Sequence, residues 1–286
     1  MNKSRGWYYY NRAYLSDTQP HQIVDASQVL SGEIWKKGHS KAILARWTSD
    51  FDSSSECNWW YIIKDTPFDI HSLKSNRRYR INQGLRNFNV NPINPKEYID
   101  DLYRVQCEAY KSYPQKYRPN HSIEEMKKCA DVWFKNPGYT IFGAFHNETS
   151  ELCGYAVVLK ESTCLDYQIL KVNPSYERSS INHAIMASVL EYYSDLLCNG
   201  YYICNGERNV QHETNFQKFL KENFGYRTAY CKLHVEYNPK YKWIIKILYV
   251  FRKILQKFDN IRIVHKINGV LKMEEIVRQQ EKNKNG

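Results

Sequence analysis

The sequence predicts an α+β fold: a mixed, mostly antiparallel sheet flanked by helices. Three stretches carry this reading. In residues 200–237, Tyr201, Tyr202, Ile203 and Cys204 form a short apolar run closed by the turn pair Asn205-Gly206. Phe216, Phe219, Leu220 and Phe224 then recur at helical steps. Gly225 stands where a helix stops, because glycine takes the left-handed cap conformation at little cost. Tyr226–Tyr237 is rich in aromatics and suits a strand. Second, Tyr139–His146, a turn at 147–151, Leu152–Lys160 and Ser162–Val172 read as three antiparallel strands. Third, Ile181–Leu197 reads as a helix with Ile185, Met186, Val189, Leu190, Tyr193, Leu196 and Leu197 facing inward.

From the N-terminus, a helix is expected to end at Ser27–Leu30, before Ser31-Gly32. Lys41–Trp47 is a strand, Asp50–Glu56 a polar loop, and Asn58–Lys64 a second strand stopped by Asp65-Thr66-Pro67. Trp59 and Trp60 are adjacent and so face opposite sides of that strand; at most one lies in the core. Ser72–Phe88 is a basic helix with Leu73, Ile81, Leu85 and Phe88 on its apolar stripe. Arg77 falls within that stripe, so it either snorkels to water or reaches an anion in a cleft. Asn89–Ile93 is a short strand and Lys96–Tyr110 a helix. Ser122-Ile123-Glu124-Glu125 is a capping box opening a helix to about Lys135, which Asn136-Pro137-Gly138 ends. Three divisions result: an α/β segment over 1–95, a main domain over 96–238, and a basic C-terminal extension over 239–286.

Hydrophobic residues at 42% and charged residues at 25% are globular values. No apolar run approaches the roughly 20 residues needed to span a bilayer, and the N-terminus lacks a secretory apolar region. The eight cysteines show neither CxxC pairs nor a metal-like Cys/His cluster, as for reduced thiols of a cytoplasmic protein, and no metal is expected. The net charge of +11 is concentrated. Lys74, Arg77, Arg78, Arg80 and Arg86 lie in one acid-free segment; Lys240, Lys242, Lys246, Arg252, Lys253 and Lys257 lie in another. Together they equal the whole excess, which implies anionic partners: phosphates, nucleic acid or an anionic membrane. Within Lys240–Phe258, Ile244, Ile247, Leu248, Phe251, Leu255 and Phe258 fall on one helical face and Lys242, Lys246, Lys253 and Lys257 on another. Either that apolar face packs on the body of the protein, or the helix lies in the surface of an anionic membrane, placing the protein peripherally on its inner face.

The segment Phe219-Leu220-Lys221-Glu222-Asn223-Phe224-Gly225-Tyr226 resembles the helix, Gly-aromatic, strand ending of the GNAT acyltransferase superfamily. The order over 96–237 (helix, helix, three antiparallel strands, helix, strand, helix, strand) is similar to the GNAT fold over about half the chain. Ser72–Asn91, with its paired arginines, resembles the bridge between the two GNAT-like halves of Fem-type peptidyltransferases. Those enzymes add amino acids from aminoacyl-tRNA to amines of peptidoglycan precursors. By that resemblance residues 1–68 are a shortened, degenerate first half. The resemblance implies an N-acyltransferase moving an acyl or aminoacyl group onto an amine acceptor, such as a cell-envelope glycan or peptidoglycan-type precursor, lipid-linked or not. Its co-substrate would be acyl-CoA or aminoacyl-tRNA, with no tightly bound cofactor. Arg178, Ser179, Ser180 and Asn215 are the donor-binding candidates. One departure matters. GNAT enzymes that use acyl-CoA cradle its pyrophosphate on backbone N–H groups of a glycine-rich loop. Here Tyr176-Glu177-Arg178-Ser179-Ser180-Ile181 holds no glycine, which weakens the acyl-CoA reading without excluding it and favours an aminoacyl-type donor or an unusual one.

Acyl transfer to an amine needs a base, donors for the tetrahedral oxyanion and an acid for the leaving group. Glu207, Arg208, His212 and Glu213 form the densest set of candidates. His212 is the expected base, with its pKa set by Glu213 or Glu207, and Arg208 can hold a carboxylate or phosphate bidentately. Trp59, Trp60, Arg77 and Arg78 are expected on the acceptor side. A different class stays open beside this one: a catalytically degenerate GNAT-fold protein that binds RNA or anionic phospholipid.

Overall fold

The computed structural model describes the chain except residues 1, 2, 5, 38, 40, 114–117, 120, 211–214 and 283–286. In chain order the elements begin with β1 (Lys3–Ser4), β2 (Trp7–Tyr10), β3 (Ala13–Ser16), α1 (Ser27–Leu30), α2 (Glu33–Lys37), β4 (Leu44–Ser53) and β5 (Trp60–Lys64). Next come α3 (Ser75–Asn87), β6 (Phe88–Pro92), α4 (Ile99–Lys111), α5 (Ile123–Lys135), β7 (Tyr139–His146), β8 (Leu152–Glu161) and β9 (Cys164–Val172). Last are α6 (Ile181–Tyr192), α7 (Ser194–Cys198), β10 (Tyr202–Glu207), α8 (Asn215–Phe224), β11 (Arg227–Tyr237), α9 (Pro239–Val250), α10 (Arg252–Gln256) and α11 (Arg262–Lys282). The chain forms two compact units that interleave in sequence. One comprises 1–61, 207–214 and 228–286; the other comprises 62–206 and 215–227.

The larger unit holds the three expected antiparallel strands. β6, β7, β8 and β9 pair antiparallel in that order, and β10 joins β9 in parallel. The sheet is therefore mixed and mostly antiparallel, as the sequence predicts. Successive side chains of β8 face opposite sides. Tyr155 belongs to the core under α4 and α5, with Leu102, Val105, Met126 and Trp133. A Cβ at Gly154 would instead touch Ile181 and Ile185 of α6, so helices cover both faces. The capping box opening α5 forms as expected: Ser122 Oγ accepts from Glu125 N–H, and the Glu125 carboxylate accepts from Ser122 N–H. The helix expected over 181–197 breaks at Tyr193, whose ring is buried against Phe142 at 6.0 Å.

Helix α3 departs from the expected stripe. Ile81 and Phe88 are buried, but the third inward position is Gly84, and Leu85 is largely exposed. The cause is a helix crossing at contact distance. A Cβ at Gly84 would stand 2.5 Å from the Ser180 carbonyl oxygen and 3.0 Å from the Ala184 nitrogen. Only glycine permits that approach.

In the smaller unit, β1-β2-β3 form an antiparallel meander, β3 runs parallel to β4, and β4 pairs antiparallel with β11. The β2–β3 hairpin has no counterpart in the sequence reading. Its two turn residues, Asn11 and Arg12, both take positive φ (46° and 67°), the handedness that matches strand twist, without the usual glycine signal. Strand β4 runs on through Ser53 and takes up much of the stretch expected as loop. Asp50 and Asp52 take positive φ there, which aspartate tolerates, while β11 still pairs through Lys232↔Ser49 and Tyr230↔Ser53. Trp59 is fully buried and Trp60 only partly so, in keeping with their adjacency. The C-terminal helices lie on this sheet: Ile245 and Leu271 pack with Leu44 and Tyr237, and Ile276 with Trp59, Cys231 and Leu233.

The α3–α6 crossing is testable. On an open helix face Gly84→Ala would stabilise by up to about 1 kcal/mol. At a backbone contact of 2.5 Å it must push the helices apart, and we expect a loss of about 1–3 kcal/mol in urea unfolding. A gain in stability would mean the crossing is looser than described.

Candidate active site

Strand β9 has two partners, and its geometry changes where they diverge. Against β8, Val158 pairs with Tyr167 and Val157 with Ile169, so Gln168 is an extra residue in β9, a β-bulge. Against β10, pairing comprises Tyr202↔Cys164, Ile203↔Leu165 and Cys204↔Asp166. The parallel ladder thus ends two residues before the bulge. A bulge bends its strand and increases the local twist. Beyond Asp166 the two strands part, leaving the backbone of β9 without that partner strand.

Gln168 ties this point to a cleft. Its Nε2 donates to Asp166 Oδ2 at 2.9 Å, and its side chain lines a cleft of about 650 Å³ between α4, α5 and β9. Burial, and then the Glu161 charge, raise the Asp166 carboxyl above its ordinary value, against the lowering bond from Gln168. Tyr155 closes the floor, its hydroxyl donating to Gln106 Oε1 at 3.3 Å. At the mouth, Lys171 Nζ lies 4.6 Å from the Tyr110 ring centroid and donates to Tyr113 Oη at 3.2 Å. His121 meets the Tyr110 ring edge-on at 4.9 Å. Its Nδ1 lies 3.1 Å from the Pro119 carbonyl, so that nitrogen donates, and its Nε2 lies 3.3 Å from Cys107 Sγ. The cleft thus sets an aromatic wall beside a cation and an imidazole, and Gln168 on its lining is bonded to the Asp166 carboxyl, which lies outside the lining. These are groups able to seat a polar substrate and move a proton.

The donor-side candidates lie in the same unit. Arg178 is exposed, Ser179 is half-buried with its carbonyl accepting from Asn87 Nδ2, and Asn215 opens α8. Ser180, with φ of 66°, is buried and donates to Gln83 Oε1 at 3.0 Å. The first turn of α6 is therefore closed against α3. His183, on that turn, meets Phe219 edge-on at 4.8 Å. Burial, and then the Arg80 charge, lower its pKa to about 4, so the ring is neutral at physiological pH.

Glu207 and Arg208 belong to the smaller unit. Glu207 is ion-paired with Arg46, and the Arg46 guanidinium lies 5.3 Å from the Trp59 ring centroid. Arg208 stacks over Trp60 at 4.5 Å and donates to the Asn58 carbonyl at 2.6 Å. Trp59 and Trp60 are thus gathered with Glu207 and Arg208. Arg77 and Arg78 are half-buried in α3 of the larger unit. His212 and Glu213 lie outside the described residues. Sequence reasoning missed Asp166, Gln168, Gln106, Tyr110, His121 and Lys171. One signal was present: Asp166 and Gln168 are the polar residues within an otherwise apolar run, Cys164–Leu170. Among the described residues no group of three or more His, Cys, Asp or Glu is placed to hold a metal, and no helix is long and apolar enough to cross a membrane.

No protein-family model matches the chain, and no curated protein matches it. Solved structures do resemble it. The C-terminal DUF2156 domain of a candidate lysylphosphatidylglycerol synthetase from Agrobacterium fabrum aligns with TM-score 0.50 at 9% identity, covering 85% of this chain and 82% of that one. The L-PGS of Bacillus licheniformis aligns with TM-score 0.48 at 11% identity, covering 87% and 84%. A tandem GNAT protein from the clavulanic acid biosynthesis pathway aligns with TM-score 0.43 at 12% identity, covering 79% and 75%. At these identities the first of the three establishes a likeness of fold.

The depressed pKa of His183 sets a pH dependence of stability. An unfolded histidine takes up its proton near pH 6.5, whereas the folded one resists until about 4. Stability is therefore complete above about pH 6.5 and is lost as pH falls toward 4. Replacing His183 with Gln should flatten this part of the urea-unfolding profile, and an unchanged slope would remove His183 as its source.

Proposed function

We propose that the chain is an acyltransferase that joins an acyl or aminoacyl group to an amine, with the reacting centre where β9 and β10 part. The observation that carries this reading is the end of the parallel ladder at Cys204↔Asp166, two residues before the bulge at Gln168. A parted pair of parallel strands leaves N–H and C=O groups along one wall of a slot. There the ammonium group and ester carbonyl of an aminoacyl donor can bond to those C=O and N–H groups, with the reacting carbonyl presented beside Asp166. The amine nitrogen attacks the carbonyl carbon, a C–N bond forms, and the bond to the leaving oxygen or sulfur breaks. Asp166 takes the proton from the amine, and the leaving group takes up a proton in turn. A carboxyl raised above its ordinary value is better matched to that task at neutral pH.

Among donors, an aminoacyl ester is the better fit. A CoA pyrophosphate is usually bound by open backbone N–H groups at a helix N-terminus. Here Ser180 is buried and α3 is packed on the first turn of α6. Arg178, Ser179 and Asn215 remain proposed contacts to the donor, and Arg77 and Arg78 to the acceptor. Glu207 and Arg208 already have partners in Arg46 and Trp60, and we assign them to holding the segment that follows β10. His212 is the competing base. The acceptor class that fits best is an amine-bearing cell-envelope precursor, since the chain carries a second, C-terminal basic segment.

Incubation with charged tRNA and, separately, with acetyl-CoA, with acceptor amines read by mass spectrometry, tests the donor. We expect product from the charged tRNA. Asp166→Asn should lower turnover by about 100-fold or more, the scale of a lost general base. Because the rate rises as Asp166 ionises, the acid limb of the wild-type profile should lie above the ordinary carboxylate pKa of about 3.9 and vanish in the variant. A full loss in His212→Ala with normal rates in Asp166→Asn would move the base to His212. No transfer from either donor would leave the chain a binding protein.

A further inference from the structure

Helices α9 and α10 are apolar on two opposite faces, and only one of these is covered. The sequence reading placed Ile244, Ile247, Leu248, Phe251, Leu255 and Phe258 together on one face. The structure divides them. Ile245, Leu248 and Leu255 turn inward and pack with Leu44, Tyr237 and Leu271. Trp243, Ile247, Val250, Phe251, Ile254 and Phe258 point away, each between 50% and 72% exposed. On α9, at about 100° per residue, Trp243, Ile247 and Val250 fall on one stripe; Phe251 stands at the joint with α10, Ile254 lies on α10 and Phe258 just beyond it. Lys242, Lys246, Lys253 and Lys257 form a row along one edge of this outward surface, all exposed. The cation between them in sequence, Arg252, is the one that faces inward, onto the Tyr249 ring at 4.3 Å and toward Glu275. No acidic residue occurs from Lys240 to Phe258.

We propose that this ridge seats the protein on an anionic lipid bilayer, with the outward stripe inserted at headgroup depth and the lysine row against lipid phosphates. Packing of one face on the body of the protein does not use up the other, so the two readings of this segment are compatible. The inward residues hold the helices on the β4–β11 sheet, and the outward ones are left for a second apolar phase. A protein partner would need a fixed groove and acidic residues placed opposite each lysine. A fluid anionic surface meets flexible lysines without such register; of the four, Lys242 is also ion-paired with Glu236 at 2.9 Å. The ridge is also too short and too basic to cross the membrane, so it lies along it. This inference stands apart from the assignment of acyl transfer. If that assignment also holds, the acceptor would be met at the membrane surface.

The full chain should be mixed with vesicles of phosphatidylcholine alone and with vesicles of equal parts phosphatidylcholine and phosphatidylglycerol, and sedimented. We expect the protein to sediment with the second at low salt and to be released as salt rises. Ile247→Ser with Ile254→Ser should weaken binding by about tenfold or more, and Lys246→Gln with Lys253→Gln and Lys257→Gln on the order of 100-fold. Because all five positions are exposed, thermal unfolding should stay at the wild-type temperature. Equal binding to both vesicles, binding to neither, or variants that bind like wild type would each overturn the proposal. So would a wild-type dimer in solution that Ile247→Ser with Ile254→Ser converts to monomer, since the ridge would then be a contact between copies of this chain.

Discussion

Strand β9 has to serve two neighbours at once. It is paired antiparallel with β8 along almost its whole length, Gly154↔Val172 to Glu161↔Cys164, and parallel with β10 over Cys164–Asp166. One extra residue, Gln168, lets the antiparallel ladder continue while the strand changes its twist. The larger unit follows from that constraint. The β8 side remains a closed sheet with helices on both faces, and the β10 side opens. Asp166 stands at the last shared pair, where burial raises its pKa and Gln168 connects it to the cleft under α4 and α5. The opening follows from the end of one ladder, whereas the raised pKa of Asp166 follows from burial and the Glu161 charge, against the bond from Gln168.

The same unit shows how close packing removes one option. Gly84 lets α3 approach the first turn of α6 to backbone contact, and Ser180 is buried under it. The helix N-terminus, ordinarily a place for anions, becomes part of the core. His183 on that turn stays neutral for the same reason: its ring lies against Phe219 and near Arg80, where a second positive charge is disfavoured.

In the smaller unit the deciding feature is how apolar surface is divided. α9 holds more apolar residues than one face can take, so the amphipathic pattern that helical periodicity suggests is only half of the picture. The inward half completes the layer over β4 and β11, and the outward half is a lysine-edged ridge. Trp59 packs under Ile276 of α11 and takes the Arg46 guanidinium on its ring, while Trp60 on the other side of the strand takes Arg208; Glu207 pairs with Arg46, and Arg208 also donates to the Asn58 carbonyl.

Wherever local pattern dominates, the sequence by itself determined the outcome. The three strands 139–172, the capping box at Ser122, the helix stop at Gly225 and the opposed Trp59 and Trp60 are all set by periodicity, caps and glycine, which act over a few residues. The mixed, mostly antiparallel sheet follows from their order. Three matters were left to tertiary structure. The bulge at Gln168 is a matter of register between β9 and β8, which no window of the β9 sequence contains. The helix crossing at Gly84 needs Ser180 and Ala184, about a hundred residues away in the chain. Which face of α9 is covered depends on Leu44 and Tyr237 being adjacent across β4 and β11. Contacts of this range bring the cleft residues Gln106, His121, Tyr155 and Lys171 around one space, so a site made of them has no linear motif to read.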